Sequence, residues 1–472
     1  MNKYKYLGKN TLIFAISSFG TKILSFLLVP LYTAVLSTAE YGSADLITTT
    51  ATLLVFVLTI NISSSVLRFT IEQRKSGRKI LSYGIRVLVV SSLICSILLG
   101  LVYYSKILDW PAYYFLFIFL YFFATALYEI MTNYLRAIDK VKHVAIAGVL
   151  SSIIIIISNI VFLLIIKIGL VGYLVSLILG PLLASIFCIL IAGEPIKTYF
   201  FVDCSRELKR EMVIYCTPLI FNNIALWINA FLDRYFVTYY CGVAENGIYS
   251  VSGKISTILA TFYSVFSNAW TLSAIIEFDK DDKDGFFSKT YNTYGALMTT
   301  LCSIIILFNI PLSKFLYSKN FFEAWRYSSI LLMSVMFNTF TSFQGSLFTA
   351  AKETKLIATT TVISALVNTC LNILFIPRFG GIGAAVATAI AYFIMWLTRY
   401  IYLKRFINMK VNFAKDIFIY FIIAIQIVFE HLNGHFYIGQ ISVILIVLIL
   451  NYKYFKTIFN IIGGKFKSVI AK

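Results

Sequence analysis

Long apolar runs recur from one end of this chain to the other, and they limit what it can fold into. Hydrophobic residues make up 60% of the 472 residues and charged residues only 13%, and the mean hydropathy is +0.86. A helix needs about 20 apolar residues to cross the hydrocarbon core of a bilayer. No polar stretch between the runs is long enough for a separate globular domain. The sequence therefore predicts an all-α, polytopic membrane protein.

Fourteen segments are predicted to span the membrane. Each is a mostly apolar run, and short polar loops separate them. The predicted spans are 10–36, 43–67, 80–104, 112–135, 143–166, 170–192, 212–240, 246–276, 290–312, 327–350, 356–376, 381–402, 415–433 and 436–455.

Basic residues concentrate in alternate loops of this map. The chain has 40 Lys and Arg against 21 Asp and Glu, a net charge of +19. The basic residues of one set of loops are few, namely Lys106, Lys167, Lys314, Lys319, Arg326 and Arg378. Because cytoplasmic loops carry the excess of Lys and Arg, both termini are predicted to be cytoplasmic. The net charge is thus explained by orientation in the membrane, and no nucleic-acid partner is predicted.

Three short segments repeat in order along the chain, at offsets of 205, 213 and 211 residues. The matched pairs are Ala39–Ser43 with Ala244–Ile248, Arg136–Lys142 with Thr349–Lys355, and Ile168–Gly172 with Phe379–Gly383. Six predicted spans separate the copies, so both copies cross the bilayer in the same direction. This predicts two six-helix lobes related as a parallel repeat, with two additional C-terminal helices.

The repeat implies a division of the chain into four parts. The N-terminal lobe is predicted at 1–192 and a cytoplasmic linker at 193–211. The second lobe is predicted at 212–405, and the two additional spans with a basic cytoplasmic tail occupy 406–472.

Three cations in the predicted spans indicate a binding site. Lys22 lies near the middle of the first span, where a charge costs about 3 kcal/mol or more. Arg234 and Lys254 lie in spans 7 and 8, which correspond to spans 1 and 2 under the repeat. Cations from equivalent helices of both lobes would make an electropositive cavity suited to phosphate. Lys22, Arg234 and Lys254 are therefore predicted to bind an anionic substrate.

Acidic residues in the same helices have two possible roles. Asp45 and Asp233 are predicted to hold the cavity cations or to respond to a coupling ion, H⁺ or Na⁺; Asp233 could instead link helices through an ion pair with Arg234 or Lys254. Arg86 and Glu129 are predicted to form a structural pair between spans 3 and 4. No metal site, cofactor or nucleotide-binding loop is predicted, because the three histidines form no metal set and no P-loop motif is present.

Three segments resemble the Wzx-type polysaccharide flippases, which belong to the multidrug/oligosaccharidyl-lipid/polysaccharide exporter superfamily. They are SFGTKILSFLLVPLYTAVLSTAEYGSADLI (Ser18–Ile47), YCTPLIFNNIALWINAFLDRYFVTYYCGVAENGIYSVSGKI (Tyr215–Ile255) and FGGIGAAVATAIAY (Phe379–Tyr392). The resemblance implies a two-lobed bundle with a cationic central cavity. It also implies movement of an undecaprenyl-pyrophosphate-linked oligosaccharide from the cytoplasmic to the periplasmic leaflet by alternating access.

The resulting hypothesis is a flippase, not an enzyme, in the bacterial cytoplasmic (inner) membrane. It would serve O-antigen, lipopolysaccharide or capsule assembly, with membrane lipids around it and a polysaccharide polymerase or glycosyltransferases as partners. A lipid II-type flippase and a MATE-like antiporter of cationic drugs remain alternatives, because the fourteen spans fit the first and the second shares the superfamily. A membrane polysaccharide polymerase is disfavoured, because the largest outer loop, 313–326, has Glu323 as its only acid.

Overall fold

The computed structural model describes residues 26–432 and 436–470, and these ranges contain helices and loops without any β-strand. Short turns and loops connect most of the helices. In chain order they are α1 (Val29–Val35), α2 (Thr38–Leu58), α3 (Ile62–Glu72), α4 (Gly77–Ser105), α5 (Ala112–Ala137), α6 (Val141–Asn159), α7 (Gly169–Ala192), α8 (Ile196–Phe200), α9 (Arg206–Cys241), α10 (Val243–Ile276), α11 (Phe286–Leu307), α12 (Asn309–Leu316), α13 (Trp325–Ala350), α14 (Thr354–Leu403), α15 (Phe413–His431) and α16 (Tyr437–Ile470).

Within the described ranges, eight helices are long and apolar enough to cross a membrane, or up to nine if α11 and α12 form one bent span. The 50-residue α14 is interrupted at Gly380, where φ is 57° and ψ is −138°. Its two halves pack side by side, and Ser364 Oγ in the first half donates to Ala391 O in the second at 2.9 Å. Helix α14 therefore covers predicted spans 11 and 12. The protein is an all-α, multi-span membrane protein, and the count of fourteen spans stays a prediction.

The chain divides into two compact units, Met1–Gly247 and Ile248–Lys472. The boundary lies one turn into α10, so α9 and the segment 193–211 belong to the first unit. The predicted four-part division of the chain stays a prediction.

The turn before α6 and the turn before α14 have the same backbone structure. Asp139 and Lys352 occupy equivalent positions and both have a positive φ, 64° and 63°. In each turn the next amide donates to the carbonyl five residues earlier, at 2.8 Å in both. This is the hydrogen bond that commonly ends a helix. The repeat detected in the sequence is confirmed at this turn.

The glycines of the third repeated segment also match. Gly169 and Gly380 have a positive φ of 52° and 57°, which glycine adopts without steric cost. Three residues later, a Cβ on Gly172 would lie 2.7 Å from Phe162 Cβ, and a Cβ on Gly383 would lie 2.6 Å from Phe375 O. Both copies therefore use one glycine to turn the chain and a second to let the next helix pack closely.

The first repeated segment forms a direct helix contact inside the first unit. Gly42 in α2 and Gly247 in α10 lie against each other's helix. A Cβ on Gly42 would overlap Val243 O, and a Cβ on Gly247 would overlap Thr38 O. The contact is reciprocal, because each glycine meets the carbonyl at the start of the other helix. The repeated Gly thus brings two helix backbones into contact.

Buried polar pairs attach α15 to the second unit. Gln426 Oε1 accepts from Ser303 Oγ at 2.6 Å, and Glu430 Oε1 accepts from Asn309 Nδ2 at 2.6 Å. All four residues are buried. Because a buried polar group is costly without a partner, these pairs fix α15 in position against α11 and α12. The first of the two additional spans is therefore an integral part of this unit.

Arg399, in the second half of α14, is buried with 4% of its surface exposed. Its guanidinium donates to Thr341 O at 2.7 Å, to Thr360 Oγ1 at 2.9 Å and to Thr361 Oγ1 at 3.0 Å. These donors link α14 to α13. The arrangement is structural, because hydrogen bonds to carbonyl and hydroxyl oxygens occupy the guanidinium.

Arg399→Lys is expected to destabilise the protein although it keeps the charge. An ammonium cannot reproduce the fork of donors, and losing charge-assisted hydrogen bonds costs about 2–3 kcal/mol. Thermal unfolding in detergent measures the effect, with the exposed Arg405→Lys as the matched control. Equal melting temperatures for the two variants would contradict the structural role of Arg399.

Candidate functional site

An ion pair between α2 and α9 forms the centre of the candidate site. Helix α2 begins at a capping box, in which Ser37 N donates to Glu40 Oε2 at 2.8 Å and Glu40 N donates to Ser37 Oγ at 3.2 Å. Asp45 follows two turns later. Its carboxylate accepts from the Arg234 guanidinium of α9. Asp45 and Arg234, which lie far apart in sequence, are therefore direct partners.

Both members of the pair are largely removed from solvent. The exposed fraction of the side chain is 19% for Arg234 and 12% for Asp45. Arg234 Nη1 lies 3.4 Å from Thr49 Oγ1, and its guanidinium carbon lies 4.8 Å from the centre of the Phe231 ring. The aromatic face, the hydroxyl and the carboxylate together hold the guanidinium in one orientation.

A second donor supports the carboxylate. Asn246, at the start of α10, is fully buried. Its Nδ2 donates to Gly42 O at 3.2 Å and to Asp45 Oδ2 at 3.5 Å. The two oxygens of Asp45 therefore have different partners, Arg234 and Asn246. This places the Asp45 carboxylate beside the close contact between α2 and α10.

Other polar contacts between α2 and α9 fix the register of the two helices. Thr50 Oγ1 and Tyr235 OH share a hydrogen bond of 2.6 Å, and Trp227 Nε1 donates to Thr49 O at 3.2 Å. Residues 227, 231, 234 and 235 lie on one side of α9, as the helical period requires.

The other predicted site residues fall into three groups. Asp233 is buried, with 3% of its surface exposed, about 100° around α9 from Arg234. Lys254 belongs to the second unit; it is half-buried, and its ammonium makes no ion pair or hydrogen bond with the residues that the structure describes. Lys22 lies outside the described residues. The predicted roles of these residues in substrate or ion binding stay predictions.

The predicted pair of Arg86 and Glu129 is not formed. Arg86 Nη2 donates instead to Asp203 Oδ1 at 2.7 Å, and Glu129 Oε2 accepts from Ser63 Oγ at 3.4 Å. Asp203 lies in the segment between α8 and α9, which the sequence analysis treats only as a linker. The interpretation was wrong because depth along two adjacent helices does not show which loop folds back over them.

The Arg234–Asp45 pair is a charge-balanced centre. In the first unit, Arg234 is paired with Asp45, so an approaching anion meets a neutralised guanidinium. Guanidinium N–H groups are donors that suit phosphate and carboxylate oxygens. No group of three or more His, Cys, Asp or Glu able to hold a metal is found in the described part of the chain.

Sequence reasoning did not identify Asn246, Thr49 or Asp203. In the sequence, Asn246 belongs to a repeated segment and gives no further signal, although a buried amide at the start of an apolar helix needs a polar partner. Thr49 lies among other threonines and gave no signal of its own. Only the tertiary structure shows that these side chains meet Arg234, Asp45 or Arg86.

Comparison with known proteins identifies related sequences. Residues 7–271 match the family described as "Polysaccharide biosynthesis protein". A 209-residue segment is 26% identical to the uncharacterized membrane protein MJ1068 of Methanocaldococcus jannaschii, covering 43% of this chain. That match spans 41% of the relative's length.

Solved structures share the fold at low sequence identity. The lipid II flippase MurJ in an inward closed conformation superposes with a TM-score of 0.70 at 17% identity, covering 96% of this chain and 99% of that one. An inward-facing multidrug resistance MATE family transporter of the MOP superfamily gives 0.65 at 13% identity, covering 83% and 98%. A MOP superfamily transporter from Pyrococcus furiosus gives 0.59 at 13% identity, covering 85% and 96%. These folds belong to flippases and transporters, not to enzymes.

Proposed function

Because this chain belongs to the polysaccharide biosynthesis protein family, we propose that it flips an undecaprenyl-pyrophosphate-linked oligosaccharide from the cytoplasmic to the periplasmic leaflet of a bacterial cytoplasmic membrane. The product would supply O-antigen or capsule assembly. The single observation that carries the proposal is the oriented guanidinium of Arg234 in an apolar helical unit of this family. A guanidinium fixed by a carboxylate, an aromatic ring and a hydroxyl is suited to a diphosphate.

Arg234, Lys254 and Lys22 would bind the diphosphate or acidic sugars in this mechanism. Asp45 orients Arg234 and offsets its charge, so that binding stays weak enough for release. Asp233 would hold a cation or respond to the coupling ion, H⁺ or Na⁺. The oligosaccharide would cross through alternating access of the two lobes while the lipid tail stays in the bilayer.

Lys254→Ala is expected to abolish surface polysaccharide while leaving the melting temperature of the purified protein unchanged. The ammonium has no partner among the described residues, so its removal leaves no buried group without a counter-ion. Polysaccharide is measured by gel analysis of cell extracts, at a protein level matched by immunoblot. Lys283→Ala, in the polar loop before α11, is the control and should retain normal polysaccharide. Normal polysaccharide in Lys254→Ala would remove this residue from the substrate site.

Two other transported substrates give different results in cells. A MATE-like antiporter would confer resistance to cationic drugs in an efflux-deficient host, and a lipid II flippase would rescue cell-wall synthesis when the host flippase is depleted. Polysaccharide export without either phenotype supports the proposed substrate. Elongated sugar chains made by the purified protein would instead indicate a polymerase.

A further inference from the structure

A second basic site lies away from the Arg234–Asp45 pair, within the first unit, where α4 lies beside the loop before α9 and the first turn of α9. A cavity of about 320 Å³ opens there. Arg86 of α4 and Lys209 of α9 line it, together with Tyr83. Arg86 Nη2 and Lys209 Nζ both donate to Asp203 Oδ1, each at a distance of 2.7 Å.

The cluster carries more positive than negative charge. Two cations share one carboxylate, so the three groups together have a net charge of +1. The side chain of Asp203 is 62% exposed, while Arg86 Nε is buried and has no hydrogen-bond partner among the described residues. The cluster therefore has the net charge to attract one further anion.

Asp203 stays ionised across the physiological range. Its hydrogen bonds from Lys209 and Arg86 lower its pKa from 3.8 to about 2. Because the pKa of Asp203 is lower in the folded protein than in the unfolded chain, its contacts with Lys209 and Arg86 stabilise the folded state above the unfolded pKa of 3.8. This stabilisation is lost as the pH falls from 3.8 towards 2. An anion that binds this cluster must therefore compete with a charged Asp203 at neutral pH.

The other wall of the cavity is aliphatic and continues into exposed apolar surface. Val87, Val90 and Ile94, which follow Arg86 along α4, also line the cavity. Val90 is 55% exposed, and Leu93 and Ile97 beyond it are 61% and 62% exposed. In a membrane-spanning helix, exposed aliphatic side chains face acyl chains.

We propose that this cavity binds an anionic phospholipid of the surrounding leaflet, with the phosphodiester at Arg86 and Lys209 and an acyl chain along Val90 and Ile94. Charge complementarity identifies the occupant, because a phosphodiester carries one negative charge and the cluster carries one net positive charge. Basic pockets between membrane-spanning helices bind anionic lipid headgroups, and the apolar residues of α4 beside Arg86 can contact an acyl chain. The site is separate from the proposed substrate site, and its failure would leave the proposed function unaffected.

Native mass spectrometry of the full chain in detergent tests the proposal by titration with phosphatidylglycerol and phosphatidylcholine of identical acyl chains. Phosphatidylglycerol should bind more tightly. The double variant Arg86→Gln/Lys209→Gln should weaken phosphatidylglycerol binding by roughly 25-fold, about fivefold for each cation, without changing the affinity for phosphatidylcholine. Arg74→Gln, which removes an exposed partner of Asp139, should leave both lipids unchanged.

Asp203→Asn separates lipid binding from a structural role of the cations. It removes the internal competitor while keeping Arg86 and Lys209, so phosphatidylglycerol should bind more tightly than to the unmodified protein. Unchanged or weaker binding by Asp203→Asn, or equal binding of the two lipids, would overturn the proposal. Inorganic phosphate at millimolar concentration should not displace phosphatidylglycerol; full displacement would show that the site selects free phosphate and would overturn the lipid assignment.

Discussion

Asp45→Ala is expected to destabilise the protein by about 3–5 kcal/mol, because it leaves the Arg234 guanidinium largely buried without its counter-ion. Arg234→Ala should cost a similar amount for the opposite reason, since the largely buried Asp45 carboxylate then loses the guanidinium that donates to it. Thermal unfolding of the purified protein measures both effects. Asp139→Asn is the matched control; its ion pair with Arg74 is exposed, and exposed pairs contribute about 0–1 kcal/mol.

The double variant Asp45→Ala/Arg234→Ala distinguishes a structural pair from a substrate site. Removing both charges should recover part of the stability lost in either single variant, because no unpaired charge is left behind. Surface polysaccharide should nevertheless stay absent, since the guanidinium that would bind the diphosphate is gone. If polysaccharide returned together with stability, the pair would be structural only. If the two single losses simply added, Asp45 and Arg234 would not be energetically coupled.

Gly42→Ala is expected to cost about 3 kcal/mol or more and to lower the amount of folded protein in the membrane. The added Cβ would overlap the carbonyl oxygen of Val243, which is backbone and cannot rotate away as a side chain can. The two helices must then separate, and the shift weakens the neighbouring contact of Asn246 with Asp45. Gly247→Ala should behave in the same way, because the contact is reciprocal.

Gly100→Ala provides the control for Gly42→Ala. Gly100 also lies within a helix, but a Cβ there would meet no atom within 4 Å. Alanine is favoured over glycine in a helix by about 1 kcal/mol, so this variant should be as stable as the unmodified protein or slightly more stable. Unfolding temperatures and membrane yields decide the outcome. Similar values for Gly42→Ala and Gly100→Ala would show that the helix contact does not determine stability.

Several parts of the fold followed from local sequence alone. Apolar runs of membrane length predicted the all-α, multi-span class, because the backbone of a lipid-exposed segment must satisfy its own hydrogen bonds. The internal repeat was visible because turns need particular residues: the glycines at 169 and 380 have the backbone angles that their positions require. The family resemblance depends on three segments, and two of them, Ser18–Ile47 and Tyr215–Ile255, lie within the family match to residues 7–271.

The partners of the charged residues could not be read from the sequence. Depth in adjacent helices predicts a pair between Arg86 and Glu129, but Arg86 donates instead to the loop residue Asp203. The sequence places Arg234 with other cations, whereas the structure pairs its guanidinium with the acid Asp45. The energy of an ion pair depends on separation and burial, and neither quantity is a property of a single helix.

The sequence by itself determined the class of this protein, its repeat and the list of charges that a bilayer makes costly, since these depend on composition, periodicity and turn residues. The tertiary structure alone decided which charges meet. Gly42 and Gly247 bring α2 and α10 into backbone contact, and that contact places Asn246 beside Asp45. Arg234, one of the predicted site cations, is thus paired with the acid Asp45. Long-range helix packing, not local pattern, sets the distance between opposite charges.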